Sequence, residues 1–233
     1  MQTNIAGKNK IHLMAQTRKK SMPENAGAAG KMQGEQMTVK PGSEKSAGST
    51  GRKSSGASSL ERLFMAQLKD IYYVEKRLME LLPKIKEGCT TEELEDAFDL
   101  HIQQTEKQSK RLEKIFSMLK QEPEAKRCEA LEGLSREAEE TLNETESGSM
   151  TRDAALIIAA QKIEHYEIAS YGGLVALAIT MDLPQIARSL QRTLSEEEDT
   201  DRLLTEIAEG FINFEAEEEG PYSWQSNGMH NGQ

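Results

Sequence analysis

Four stretches between residues 60 and 210 repeat apolar residues at helical spacing, and each breaks its apolar line with polar side chains near mid-length. The interruptions are Glu75, His101 with Gln104, Glu164 with Glu167, and Glu198 with Asp201. Such a chain must bury acids and an imidazole at one depth of a helical bundle. Helical proteins use that arrangement to hold metal pairs.

The spacing locates each stripe. Leu60, Phe64, Leu68, Ile71, Glu75, Leu78 and Leu82 advance by threes and fours, predicting a first helix over roughly 60 to 87, ending near Pro83. A second, over roughly 91 to 120, has Thr91 as N-cap and acidic residues in its first turn. Its stripe runs Leu94, Phe98, His101, Thr105, Gln108, Leu112, Ile115, Leu119. Pro123 then breaks the pattern, and a shorter amphipathic segment (Cys128, Leu131, Leu134, Ala138, Leu142) ends at Ser147-Gly148-Ser149. A third long helix, over roughly 152 to 180, aligns Ile157, Gln161, Glu164, Ile168, Tyr171 and Val175, with Ile163, Glu167 and Leu174 beside them. The fourth, over roughly 185 to 210, starts at Pro184 and reads Ala187, Leu190, Leu194, Glu198, Asp201, Leu204 or Thr205, Ala208. Two hairpins joined by a long crossover give an all-α, ferritin-like four-helix bundle with an extra short helix in the crossover.

The midpoints of the four long helices fall beside the four polar breaks, so in an antiparallel bundle these groups meet at one level. Buried carboxylates are costly and repel one another unless protonated or neutralised by cations. Two metal ions would neutralise them. Glu164 with Glu167, and Glu198 with Asp201, stand three residues apart and can each offer two ligands to one centre. Glu75, His101 and Gln104 complete the candidate metal set. Oxygen-rich ligation with one or two nitrogens suits iron or manganese better than zinc. His165 lies about 100° round the helix from Glu164 and is expected in an interhelical hydrogen bond. Tyr72, Tyr166 and Tyr171 are expected to pack, with redox activity as the sharper alternative.

Charge divides the chain. Before Leu60 stand ten basic and three acidic residues, a net +7, so the rest carries −17 of the total −10. Residues 1–58 are rich in Gly, Ser and Lys, without apolar periodicity, and are expected to form a disordered arm. Residues 59–211 form the helical domain and 212–233 a polar tail. The arm is basic enough to meet nucleic acid but has no aromatic residue for stacking. The first twenty residues lack a signal-peptide core, and no stretch reaches membrane-span length. The two cysteines, Cys89 and Cys128, form no disulfide framework, so the expected location is cytoplasmic.

The segments LFMAQLKDIYYVEKRL, HIQQTEKQSKRLEKIF, KRCEALEGL, AAQKIEHYEIASYGGL and LSEEEDTDRLLTEIA resemble the YciE/YciF-type stress-response family of ferritin-like proteins. The resemblance covers about residues 60 to 210 and is most specific at Glu-His-Tyr-Glu-Ile-Ala. It implies a dinuclear metal site and self-association as a homodimer or larger. The family's pattern on the second helix is His, Glu three residues later, Thr, then Gln or His; His101, Gln104, Thr105 and Gln108 match it, with Gln104 in place of Glu. A neutral amide binds a metal more weakly than a carboxylate. The leading expectation is an iron or manganese pair that reacts with peroxide or oxygen. Two other readings share the same residues: a metal-free helical scaffold, and a DNA-associated protective protein acting through its basic arm.

Overall fold

A computed structural model describes residues 56–220, and all regular structure among them is helical. The long helices are α1 (Ser59–Glu87), α2 (Glu92–Met118), α4 (Met150–Thr180) and α5 (Pro184–Ile207); the shorter α3 (Glu129–Glu144) lies in the crossover. A π-helical turn, Ala208–Ile212, leads from α5 into α6 (Asn213–Glu218). The molecule is thus the ferritin-like four-helix bundle with a helix-bearing crossover. The arm at 1–55 and the tail beyond 220 lie outside the described residues.

Local chemistry sets the helix ends. Ser58 opens α1 with a reciprocal capping box to Glu61. Helix α1 ends at Glu87, the expected end; Pro83 lies inside its last turns, which Leu81, Leu82 and Ile85, buried around it, keep docked. Thr91 is the N-cap of α2, but its side chain caps nothing on its own helix. Instead Asp153, in the first turn of α4 and wholly buried, accepts from Thr90 N (2.7 Å), Thr91 N (2.9 Å) and Thr91 Oγ1 (2.7 Å). Pro184 occupies the first turn of α5. Past 212 helix continues: Ile212 is buried and α6 runs to Glu218, after which Glu219 accepts from Thr151 N and Oγ1 at the start of α4.

The Asp153 contacts put the starts of α2 and α4 at one end, so these two helices run parallel. Helix α1 packs on α2 and α4, and α5 on α4 and α2, so each long helix lies beside antiparallel neighbours. The chain must therefore return along the bundle between α2 and α4, and α3, about 24 Å long at 1.5 Å per residue, covers much of that span against α1 and α4. Lys126 N bonds to Lys69 O (3.0 Å), and Tyr166 Oη meets both Cys128 Sγ (3.0 Å) and Asp70 Oδ2 (2.8 Å). Both cysteines are unpaired. Among the described residues, no helix is long and apolar enough to cross a membrane.

Candidate metal centre

Each long helix delivers its polar side chains between apolar turns. On α1, Ile71 and Leu78 flank Glu75; on α2, Phe98 and Leu112 bracket His101, Thr105 and Gln108; on α4, Ile163 and Leu174 bracket Glu164, Glu167 and Tyr171; on α5, Leu190 and Leu204 bracket Glu197. All of these are buried, with apolar layers above and below. One ligand atom from each of His101, Glu164, Glu167 and Glu197 lies within 4.8 Å of the others. His101 Nδ1 stands 3.2 Å from Glu164 Oε1, and Nε2 stands 3.7 Å from Glu197 Oε2. Glu75 joins from α1, its Oε1 accepting from the Tyr171 phenol.

The sequence-predicted residues divide between this cluster and its margin. The structure brings Glu75, His101, Glu164 and Glu167 together. Glu198 is exposed, and Glu197 takes the inward place. The correction has a simple cause: from Leu190 the buried line runs Thr193, Glu197, Thr200, Leu204, whereas half-buried Leu194 led the predicted stripe one position off. Asp201 moves to the margin by the same shift, meeting His165 Nε2 at 3.4 Å and Gln161 Nε2 at 3.2 Å. Its charge still acts on Glu164. Gln104 is half-buried and accepts from Thr200 Oγ1 at 3.3 Å. The inward amide is Gln108, whose Nε2 donates to Glu197 Oε1 and, at 3.3 Å, to Glu196 Oε2. Strict alternation of four- and three-residue steps from Leu190 would have found Glu197.

Burial governs the electrostatics. It pushes Glu75, Glu164 and Glu167 well above the carboxylate range, with the Glu197 charge adding to each. Glu197 itself is pushed up to about 8 by burial. Burial also pulls His101 down to about 4, so its imidazole is neutral at pH 7 with a lone pair to give. On the neighbouring Glu196, burial raises the carboxyl, but the Arg111 guanidinium, bonded to both oxygens at 2.9 and 3.0 Å, more than offsets this and holds it low.

Hydrogen bonding leaves the cluster incomplete. Glu75 Oε2, both His101 ring nitrogens, both oxygens of Glu164 and of Glu167, and Glu197 Oε2 are buried without a hydrogen-bond partner. So are Thr105 Oγ1 and Gln108 Oε1. Buried polar atoms are normally satisfied, and a concentration of orphans on acids and an imidazole fits cations held among them. The donor set, mostly oxygen with one imidazole, could hold a metal ion.

Comparison with known proteins agrees with the fold. Residues 59–217 match the family model described as Domain of unknown function (DUF892). Protein YciF of Escherichia coli (strain K12) is 41% identical over 163 residues, which are 68% of this chain and 96% of YciF. The crystal structure of the E. coli stress protein YciF superposes with a TM-score of 0.64 at 39% identity, covering 67% of this chain and 99% of that one. YcfI from Rhodopseudomonas palustris superposes with a TM-score of 0.62 at 38% identity, covering 64% and 94%. The chain therefore belongs to the DUF892, YciF-type family of ferritin-like proteins.

Proposed function

We propose that this chain is a stress-response protein whose buried centre binds a pair of non-haem iron or manganese ions and reacts with peroxide or oxygen. One observation carries the reading: an imidazole and three acids from three helices cluster in the buried core, with Glu75 beside them from the fourth, and most of their ligating atoms have no hydrogen-bond partner. The relative's description as a stress protein supports the biological setting.

His101, Glu164, Glu167, Glu197 and Glu75 would hold the ions. When bound, such ions supply the redox change and the Lewis acidity that peroxide or oxygen chemistry needs. The chain's own residues prepare the place. Tyr171 fixes Glu75 by donating to Oε1, which leaves Oε2 to face the centre. Gln108 does the same for Glu197, and Arg111 holds Glu196 away as a paired charge. Protons carried by the raised carboxyls are released as ions enter, because ligands bind deprotonated. The aliphatic layers keep bulk water from the reacting groups.

The test is metal analysis of full-length protein expressed with iron or manganese supplementation and purified without chelator. We expect about two ions per chain, together with peroxide consumption that disappears on metal removal. Fewer than about 0.2 ions per chain under both supplementations would replace this reading with the metal-free scaffold.

A further inference from the structure

The centre is lopsided. On one side stand His101 and Glu164, 3.2 Å apart, with both Glu164 oxygens unpartnered. Glu167 and Glu197 lie within 4.8 Å of that pair. Glu75 is outside that group of four, with one oxygen taken by Tyr171 and only Oε2 unpartnered. Helix α2 opposes the acids with a neutral face: after His101 come Thr105 and Gln108, both buried. Gln108 spends its amide N–H on Glu197 Oε1 and Glu196, leaving its carbonyl oxygen buried and unpartnered. Glu196 cannot make up the missing charge, because Arg111 grips both of its oxygens.

We infer that the centre binds its two ions unequally, the first on the His101–Glu164 side and the second, more weakly, on the Glu75 side, and that Gln108 sets the difference. The inference rests on the centre being a metal site. The first position draws on an imidazole and the clustered carboxylates of Glu164 and Glu167. The second has one oxygen of Glu75, a neutral amide carbonyl, and whatever Glu167 and Glu197 share across. An amide carbonyl brings a dipole where a carboxylate brings a full charge, so the second ion is less compensated. Gln108 also ties down Glu197 Oε1, which limits how far that acid can serve both positions.

Full-length protein, stripped by chelation and dialysed, would be titrated with Mn(II) while free ion is followed by electron paramagnetic resonance. We expect two steps whose Kd values differ at least about tenfold. Gln108→His and Gln108→Glu should each tighten the second step by about tenfold or more with the first nearly unmoved. Glu75→Gln should abolish the second step and spare the first, whereas Glu164→Gln should weaken the first. Thermal unfolding identifies variants that fold, and Gln108→His adds no buried acid, so it serves if Gln108→Glu does not. Two equal steps in the natural protein, or a second step unmoved in folded Gln108→His, would overturn the inference. If the natural protein binds one ion, a second ion in either Gln108 variant supports it, and one ion throughout overturns it while leaving a single-ion centre. No binding at all overturns both this inference and the metal reading.

Discussion

At the scale of single residues, three consecutive glutamates on α5 meet three environments. Glu196 is held ionised by Arg111, Glu197 is buried against His101 and Gln108, and Glu198 faces solvent. One residue of rotation, about 100°, separates a ligand position from a surface charge. Glu197→Gln should therefore reduce the metal bound per chain by half or more, whereas Glu198→Gln should leave it unchanged; metal analysis of the two variants purified side by side checks this. The same rotation explains what a reading of the sequence missed. With three acids in a row, composition cannot choose among them, and Leu194 is a plausible stripe member until packing leaves it half-buried. Glu75, Glu164 and Glu167 were readable because single acids interrupt otherwise apolar lines. Gln108 was read as a stripe member but not as the amide that bonds to a buried acid, since that bond depends on how α2 and α5 face each other.

At the scale of elements, the helices were legible to within a few residues because their caps and stripes are local properties. What joins them was not. Asp153 reads in sequence as an ordinary first-turn acid of α4, yet it serves the N–H groups of Thr90 and Thr91 at the start of α2, over sixty residues away. This one carboxylate satisfies two backbone donors and a hydroxyl in a fully buried place, and it also favours the positive end of the α2 dipole. Asp153→Ala should cost about 2–4 kcal/mol, since it strands buried donors. Urea unfolding would register this as a lower midpoint with an unchanged slope. The continuation of helix past 212 was hidden for a related reason: Asn213–Glu218 carries no buried residue, so no apolar stripe marks it in the sequence, and its packing on α4 belongs to the folded chain.

At the scale of the whole molecule, the cluster makes stability depend on pH when no ion is bound. Above pH 6.5, the ordinary histidine value, His101 is neutral in folded and unfolded chains alike, because its folded value is about 4. Glu197 ionises at 4.5 when unfolded but only near 8 when folded. The folded chain then holds the extra proton, so stability falls as pH rises between 6.5 and 8. Glu75, Glu164 and Glu167, also raised, act in the same direction. Thermal melts of stripped protein at the two ends of that window should show the lower midpoint at the alkaline end. Metal affinity should move the other way, because ions replace those protons.

The seclusion of the centre carries one more consequence. Its five acid and imidazole side chains are each 2% exposed or less, so no chelator or competing ion can touch them while the helices stay packed. Exchange of a bound ion must wait for a local or subglobal opening of the bundle, and its rate then belongs to the protein and not to the reagent. On the metal reading, a mature molecule would keep for that opening time whichever ion it captured as it closed. Its occupancy would be a record of the metal supply when the chain folded, more than a gauge of the supply at the moment.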